Sequence, residues 1–248
     1  MLDFSEIIVH HLADRPLARL GANLHWTKHM TMSGLAFLLS AVVVVQGARS
    51  NGKLHTALEA FVTLIREEIV RPALGHDTDT FLPYFLTLFT FIFSMNLLGL
   101  VPFGASATGN ISVTAALSLL TLLLINGAGI WRHGFFRHFK NLIPHGVPFW
   151  VVPLIFAIEL MGYFTKCLAL CIRLFANMTA GHLVILLFLG LILLFGQANP
   201  WTGLFIAPIS VGLALGLYAL ELLVALIQAY VFTMLTAIFV GGALHPEH

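Results

Sequence analysis

Charge is what this sequence lacks most. Only 9% of its 248 residues are Asp, Glu, Lys or Arg, against about 25% in an ordinary soluble domain. With 12 basic and 11 acidic side chains, no excess of positive charge exists to draw a nucleic acid. Cysteine is nearly absent as well. Cys167 and Cys171 are the two. They lie one helical turn apart in an apolar run, a spacing of neither a zinc site nor a redox pair, so they read as small packing residues. No glycine-rich phosphate loop occurs, so nucleotide chemistry belongs elsewhere. No residue grouping calls for a metal or a cofactor. The first 28 residues mix Asp3, Glu6 and Asp14 with Arg15, Arg19 and Lys28, and hold no apolar core of signal-peptide type. Most of the 12 histidines fall in loops and tails, where solvent-facing side chains are expected. His182 is the exception.

Apolar residues take the place of charge. They make up 59% of the chain, and the mean hydropathy is +0.95. That composition excludes a soluble domain and implies an all-α integral membrane protein. We expect a tail over residues 1–28 and one membrane domain over 29–248, with five spanning helices and one interfacial helix. The shorter spans fall at 30–47, 80–101 and 111–131. Residues 54–74 differ. Leu54, Leu58, Phe61, Leu64, Ile65 and Ile69 recur near helical spacing, with Glu59, Arg66, Glu67 and Glu68 between them. Such a helix lies in the interface rather than crossing it. Pro102, Gly104 and Gly109 punctuate the link between the second and third spans.

The last hundred residues are almost unbroken apolar sequence, over 148–195 and 201–244, separated by Gly196-Gln-Ala-Asn-Pro200. A perpendicular span needs about 20 residues. Helices twice that length either break into two spans or tilt steeply. A break needs a polar hairpin near 170 and another near 222, but only Arg173 and Glu221 stand there, singly. The expectation is therefore a long, steeply tilted helical hairpin curving around a neighbouring object, with Pro208 and the glycines at 181, 190, 212 and 216 available to bend it.

Loop charges set the orientation. Arg49, Lys53, Arg66 and Arg71 follow the first span, and Arg132, Arg137 and Lys140 follow the third, whereas 102–110 and 196–202 carry no charge. The basic links belong in the cytoplasm. The N-terminus and the 196–202 turn are then outside and the C-terminus inside. The basic residues of the N-terminal tail argue against this.

Five ionisable residues fall in the long hairpin: Glu159, Lys166, Arg173, His182 and Glu221. Arg173 matters most, because it keeps its proton at any physiological pH. At membrane depth it costs about 3 kcal/mol on insertion scales, so such a residue faces a cavity or a partner and marks an ion path. Glu159, Lys166 and Arg173 are spaced by seven and Asn177 follows by four, which makes one polar stripe on one helix face. His182 turns to about the opposite face. Counted from the turn near 199, His182 and Glu221 lie at similar depth and can pair, as can Arg173 and Gln228. Tyr230, Thr233 and Thr236 add polar groups to the second helix. The result is an outer proton-exchanging pair, a central fixed charge and an inner carboxylate, with two half-channels that do not meet and need a shuttling partner. Other readings stay open: a structural Arg173–Glu221 ion pair, a snorkelling Lys166 beside Glu159, a core histidine at 182, and Gln228 as interhelical glue.

The stretch Arg173-Leu-Phe-Ala-Asn-Met-Thr-Ala-Gly-His-Leu closely resembles the signature of subunit a of the F-type ATP synthases. ELLVALIQAYVFTMLTAIFV, with Glu221 and Gln228, resembles that family's last helix, and MNLLGLVPF (95–103) and LIPHGVP (142–148) are also similar. The resemblance runs from about residue 75 onward, plus the layout of the first span and the surface helix. It implies an energy-transducing membrane, bacterial inner or organellar, and a protein that is not catalytic alone. The implied partners are a ring of c subunits, peripheral-stalk b subunits and the other subunits of the complex, together with lipid and protons. It implies that Arg173 faces a ring carboxylate with Gln228 and Asn177 near it, that His182, Glu221 and Asn96 form the inlet, and that Glu159 serves the outlet. One departure stands out: some bacterial members have an aspartate where this chain has Gly99, which leaves the inlet to lean on His182 and Glu221. The contrasting function is a self-contained ion-coupled secondary transporter, which often shows internal repeats; none is convincing here. A structural scaffold would leave the Arg173 stripe unexplained.

Overall fold

The computed structural model describes residues 16–19, 25–49, 53–101, 106–140, 148 and 150–245. The 142–147 part of the resemblance, and Pro102 and Gly104, lie outside them. The described chain is nearly all helix. Ahead of the first span, two short strands pair antiparallel, β1 (Pro16–Arg19) and β2 (His25–Thr27). The first span is α1 (Lys28–Arg49). The interfacial segment begins as α2 (Lys53–Leu64), widens into a π-helical turn (Ile65–Val70) and closes as α3 (Arg71–Leu74) and a 3-10 turn (Gly75–Asp77). Gly75 takes φ 56°, a conformation glycine adopts without steric cost, and there the chain turns into α4 (Thr78–Leu100). A 3-10 turn (Ala107–Gly109) leads to α5 (Ile111–His133), followed by α6 (Phe135–Lys140), α7 (Val152–Ala198) and α8 (Pro200–Leu244). Among the described residues, five helices are long and apolar enough to cross a membrane.

Neither long run breaks. Helix α7 has 47 residues and α8 has 45, so each is about 70 Å long against a hydrocarbon core of about 30 Å. Gly181, Gly190, Pro208, Gly212 and Gly216 stay inside continuous helix. Asn199 makes the turn. It is extended, its side chain accepts from the Trp201 amide at 3.1 Å, and Pro200 occupies the first position of α8, where a missing N–H does no harm. Gly203 lies against the Gly196 backbone, too close for any side chain, so the helices leave the turn in contact. They stay antiparallel, as shown by the Thr202–Phe195, His182–Glu221, Asn177–Gln228 and Lys166–Phe239 contacts.

The two long helices are buried unequally. Of the spanning parts, 44% of α8 is buried but only 17% of α7. Helix α8 packs on α4 through a core that includes Phe85, Ile92, Met95, Phe232 and Val240, whereas α7 covers α8 from outside. Three hydroxyls inside the bundle are satisfied by their own helix: Thr90 donates to Leu86 O, Thr233 to Ala229 O and Thr236 to Phe232 O, at 2.7–2.8 Å. That bonding makes polar residues tolerable in an apolar span. Cys171 is buried and Cys167 half-buried, both as free thiols.

The basic ends of the helices are clamped together. Asp77 receives His245 Nε2 at 3.1 Å and lies 3.7 Å from Arg132 Nη1. His133 Nε2 meets Leu244 O at 3.0 Å. Gly241 lies so close to the Ala73 carbonyl that a methyl group would collide with it. Two histidines expected in solvent are inside instead: His29 and His138 are buried, and the His138 ring fills the space left by Gly129.

Candidate functional site

The polar residues of the hairpin divide between two faces of α7. On the inner face, buried Leu170, Leu174, Met178 and Ile185 recur at helical spacing and hold the helix on the bundle. His182 projects inward in the turn of helix before Ile185. Its Nδ1 lies 2.8 Å from Glu221 Oε1, and its Nε2 lies 2.9 Å from the carbonyl of Gly99. Glu221 is 6% exposed, and its second oxygen has no partner among the described residues.

This contact is possible because two glycines make room. A methyl on Gly181 would sit 2.6 Å from Glu221 Oε1, so the carboxylate rests against bare helix backbone. At Gly99 a methyl would strike Met178 Cε and the Ser106 side chain. A larger residue there would require the Met178 and Ser106 side chains to shift. Where the sequence suggested a missing carboxylate, the structure supplies a backbone oxygen.

Both ring nitrogens of His182 thus face oxygen. A neutral imidazole has one N–H, so it cannot donate to both. Two proton placements satisfy the geometry. In one, His182 is an imidazolium donating to Glu221 and to Gly99. In the other, the Nδ1 proton has moved to Glu221, which donates it back. Removing that proton altogether turns a nitrogen lone pair towards a carboxylate. The pair is therefore built to hold one exchangeable proton at either of two atoms.

Asn96, from α4, lies beside it. Its Nδ2 donates to Ala225 O at 3.3 Å, and its Oδ1 accepts from Thr108 Oγ1 at 3.0 Å. Thr108 in turn contacts Ser106 Oγ at 3.1 Å. Asn96 and Thr108 are 2% and 0% exposed, so this chain fixes the amide. A cavity of about 10 Å³ is lined by Asn96, Asn177, Glu221 and Gln228, about the space of one water molecule. It joins the His182–Glu221 pair to the next polar contact, where Asn177 Nδ2 meets Gln228 Oε1 at a long 3.5 Å. Gln228 Nε2 is buried without a partner among the described residues.

The outer face of α7 is different. Arg173 is exposed among Ala169, Ile172, Ala176, Ala180 and Leu183, all exposed too. Among the described residues it makes no hydrogen bond and no ion pair. Glu221 pairs with His182, which removes the structural Arg173–Glu221 ion pair as a reading, and Gln228 bonds Asn177 rather than Arg173. Glu159, two turns before Lys166, is likewise exposed, without hydrogen bond or ion pair among the described residues. Lys166 lies between them on the same stripe but is engaged: its Nζ sits 5.2 Å from the Tyr163 ring and 5.1 Å from the Phe239 ring, a cation–π position that uses its charge within the chain.

The sequence reading missed the Gly99 carbonyl, Ser106 and Thr108. A backbone oxygen has no residue signature. The two hydroxyls sit in a short turn whose only signal was a cluster of small polar residues after Gly104.

A family described as ATP synthase A chain matches residues 28–241. The chain is 38% identical over 99% of its length to the ATP synthase subunit a of Chloroherpeton thalassium, spanning 74% of that protein. It is 42% identical over 88% of its length to the ATP synthase subunit a of Anaeromyxobacter dehalogenans, spanning 58% of it. It is 35% identical over 97% of its length to the ATP synthase subunit a of a Methylobacterium species, spanning 97% of it.

Proposed function

Because the chain belongs to the ATP synthase A chain family, we propose that it is the proton-conducting stator subunit of a rotary ATP synthase, non-catalytic by itself. Its partners are then a ring of c subunits, the peripheral-stalk b subunits and the other subunits of the complex, in a bacterial plasma membrane or an equivalent organellar one. Basic links on the cytoplasmic side put the N-terminus outside and the C-terminus inside.

One observation carries the reading. A guanidinium stands near the middle of a helix of about 70 Å, exposed and unpaired among the described residues. Lipid is no environment for it. An anion on a neighbouring subunit is, and a carboxylate brought close to Arg173 is favoured as the anion and gives up its proton. The small side chains of Ala169, Ala176 and Ala180 leave room for a partner helix to come near.

Protons then take the following course. They come from outside to the His182–Glu221 pair, past Asn96, and are handed through the Asn177–Gln228 region to a ring carboxylate. Neutralised, that carboxylate can rotate through lipid. It returns on the other side of Arg173, is forced to ionise, and releases its proton past Glu159. Arg173 blocks the direct route because its field repels a free proton and it has none to give. The driving energy is about 2.3 kcal/mol per charge for each 100 mV of membrane potential.

The test is Arg173→Ala in the assembled complex, reconstituted into vesicles. The expected result is loss of ATP synthesis driven by an imposed proton gradient, with passive proton flux retained or raised. Synthesis at the normal rate would remove Arg173 from the centre of the mechanism. A chain that moves ions alone, with no ring co-purifying, would point to a self-contained transporter.

A further inference from the structure

A second cavity lies far along the chain from the α7–α8 hairpin and has no part in the proton path. It measures about 360 Å³ and is enclosed by α1, α2 and α4. Val43, Val44, Phe61 and Leu86 form apolar walls. Phe61 is braced against Phe89, ring centroids 5.3 Å apart, so the wall is stiff. The hydroxyl of Thr90, which also lines it, is turned to its own helix and donates to Leu86 O at 2.7 Å. Water gains little from such a surface. The neighbouring face of α1 exposes Phe37, Leu38, Val42 and Val45, as a surface bathed in acyl chains does.

Polarity enters on one wall. His55 and Glu59, one turn apart on the same face of α2, both line the cavity. Glu59 is exposed and makes no ion pair among the described residues. Farther along the same segment Arg66 pairs with Asp79 and Arg71 with Glu67, each at 2.7 Å. An amphipathic helix of this kind lies at headgroup level, so a lone carboxylate there sits where lipid headgroups are, and it attracts cations and repels anions.

We propose that this cavity binds one phospholipid with a primary-amine headgroup, of the phosphatidylethanolamine type, an acyl chain filling the apolar volume and the ammonium group held by Glu59. The ammonium offers three N–H donors to a carboxylate that has none. An anionic headgroup without an amine would meet Glu59 as a like charge.

Native mass spectrometry of the full-length protein, extracted in detergent and offered equal amounts of phosphatidylethanolamine and phosphatidylglycerol, tests this. The wild type is expected to retain phosphatidylethanolamine over phosphatidylglycerol by about fivefold, the scale of one charge contact at a membrane surface. Glu59→Gln should retain lipid but lose the preference. Glu59→Lys should reverse it, a result that misfolding cannot mimic. Val62→Trp, which fills the cavity, should lower retention of both lipids. Equal retention by the wild type, a preference for phosphatidylglycerol, or an unchanged preference in Glu59→Gln would overturn the proposal. None of these readouts depends on Arg173 or on proton flux.

Discussion

The half of the α7–α8 hairpin nearest its turn pairs its ionisable groups with each other, and the half from Arg173 onward leaves Arg173 and Glu159 open. His182 has an oxygen at each ring nitrogen, Glu221 rests on Gly181, and Asn96 is fixed at both ends of its amide. Arg173 and Glu159, by contrast, stand exposed without a hydrogen bond or ion pair among the described residues. The first region draws its polar groups together within one chain, with Glu221 Oε2 and Gln228 Nε2 left without a partner among the described residues. The second is half a site. An unpaired charge in a membrane is costly, and under the proposed function that cost is met when another subunit brings a carboxylate.

The sharpest way to break this comparison is at Arg173. Arg173→Lys keeps the charge but loses the planar fork that meets a carboxylate at two points. ATP-driven proton pumping in vesicles should fall by about 100-fold if that geometry matters, since one misplaced contact can cost that much. Pumping within a factor of two would reduce Arg173 to a point charge.

Next is the His182–Glu221 pair. Glu221→Gln keeps the shape and a hydrogen bond to His182 but removes an exchangeable proton. Passive proton flux through the membrane sector should drop by about 100-fold, the lower end of what a positioned proton-transfer group contributes. Unchanged flux would exclude the pair from the path.

A smaller effect probes how the pair is positioned. Gly181→Ala places a methyl 2.6 Å from Glu221 Oε1, and such overpacking costs about 1–3 kcal/mol. Flux should fall several-fold, less than in Glu221→Gln. The double variant should be no worse than Glu221→Gln alone, because both act through one carboxylate. Additive losses would mean that Gly181 matters for another reason.

The mildest effect belongs to neither half. Burial, and then the nearby His133, hold the His138 imidazole below its ordinary value. The folded state therefore favours the neutral ring. The stability this brings is fully present above about pH 6.5, the unfolded value, and is lost as pH falls through the lower folded value. Amide protection over Phe135–Lys140, each rate taken relative to its intrinsic value at that pH, should weaken as pH falls below about 6.5, and His138→Phe should remove the dependence. Protection unchanged between about pH 7 and about pH 5 would show that the ring is not held neutral.

Much of the fold is written in the apolar runs. The spans follow from run length, and the continuity of α7 and α8 from the want of any polar break near 170 or 222. Ends differ by a few residues, as at 148–195 against Val152–Ala198, because apolar sequence continues past the point where helix begins. The π-helical turn at Ile65–Val70 has no such signal: its residues suit an ordinary helix. At the site, depth could be counted from the turn, which brings His182 level with Glu221. Facing could not be counted as well. Gln228 meets Asn177 rather than Arg173, since the way two long helices roll against each other is set by side-chain volumes spread over many turns. The Asp77 clamp was hidden for another reason. It joins residues 168 apart, Asp77 and His245, and only the assembled bundle makes them neighbours.

The most direct measurement is a density map of the assembled membrane sector that resolves side chains at Arg173. The account predicts that its guanidinium points at the ring, within about 4–6 Å of a ring carboxylate, with aqueous clefts that approach it from opposite sides and do not join. A guanidinium turned to lipid, or one unbroken water-filled passage alongside it, would contradict the account.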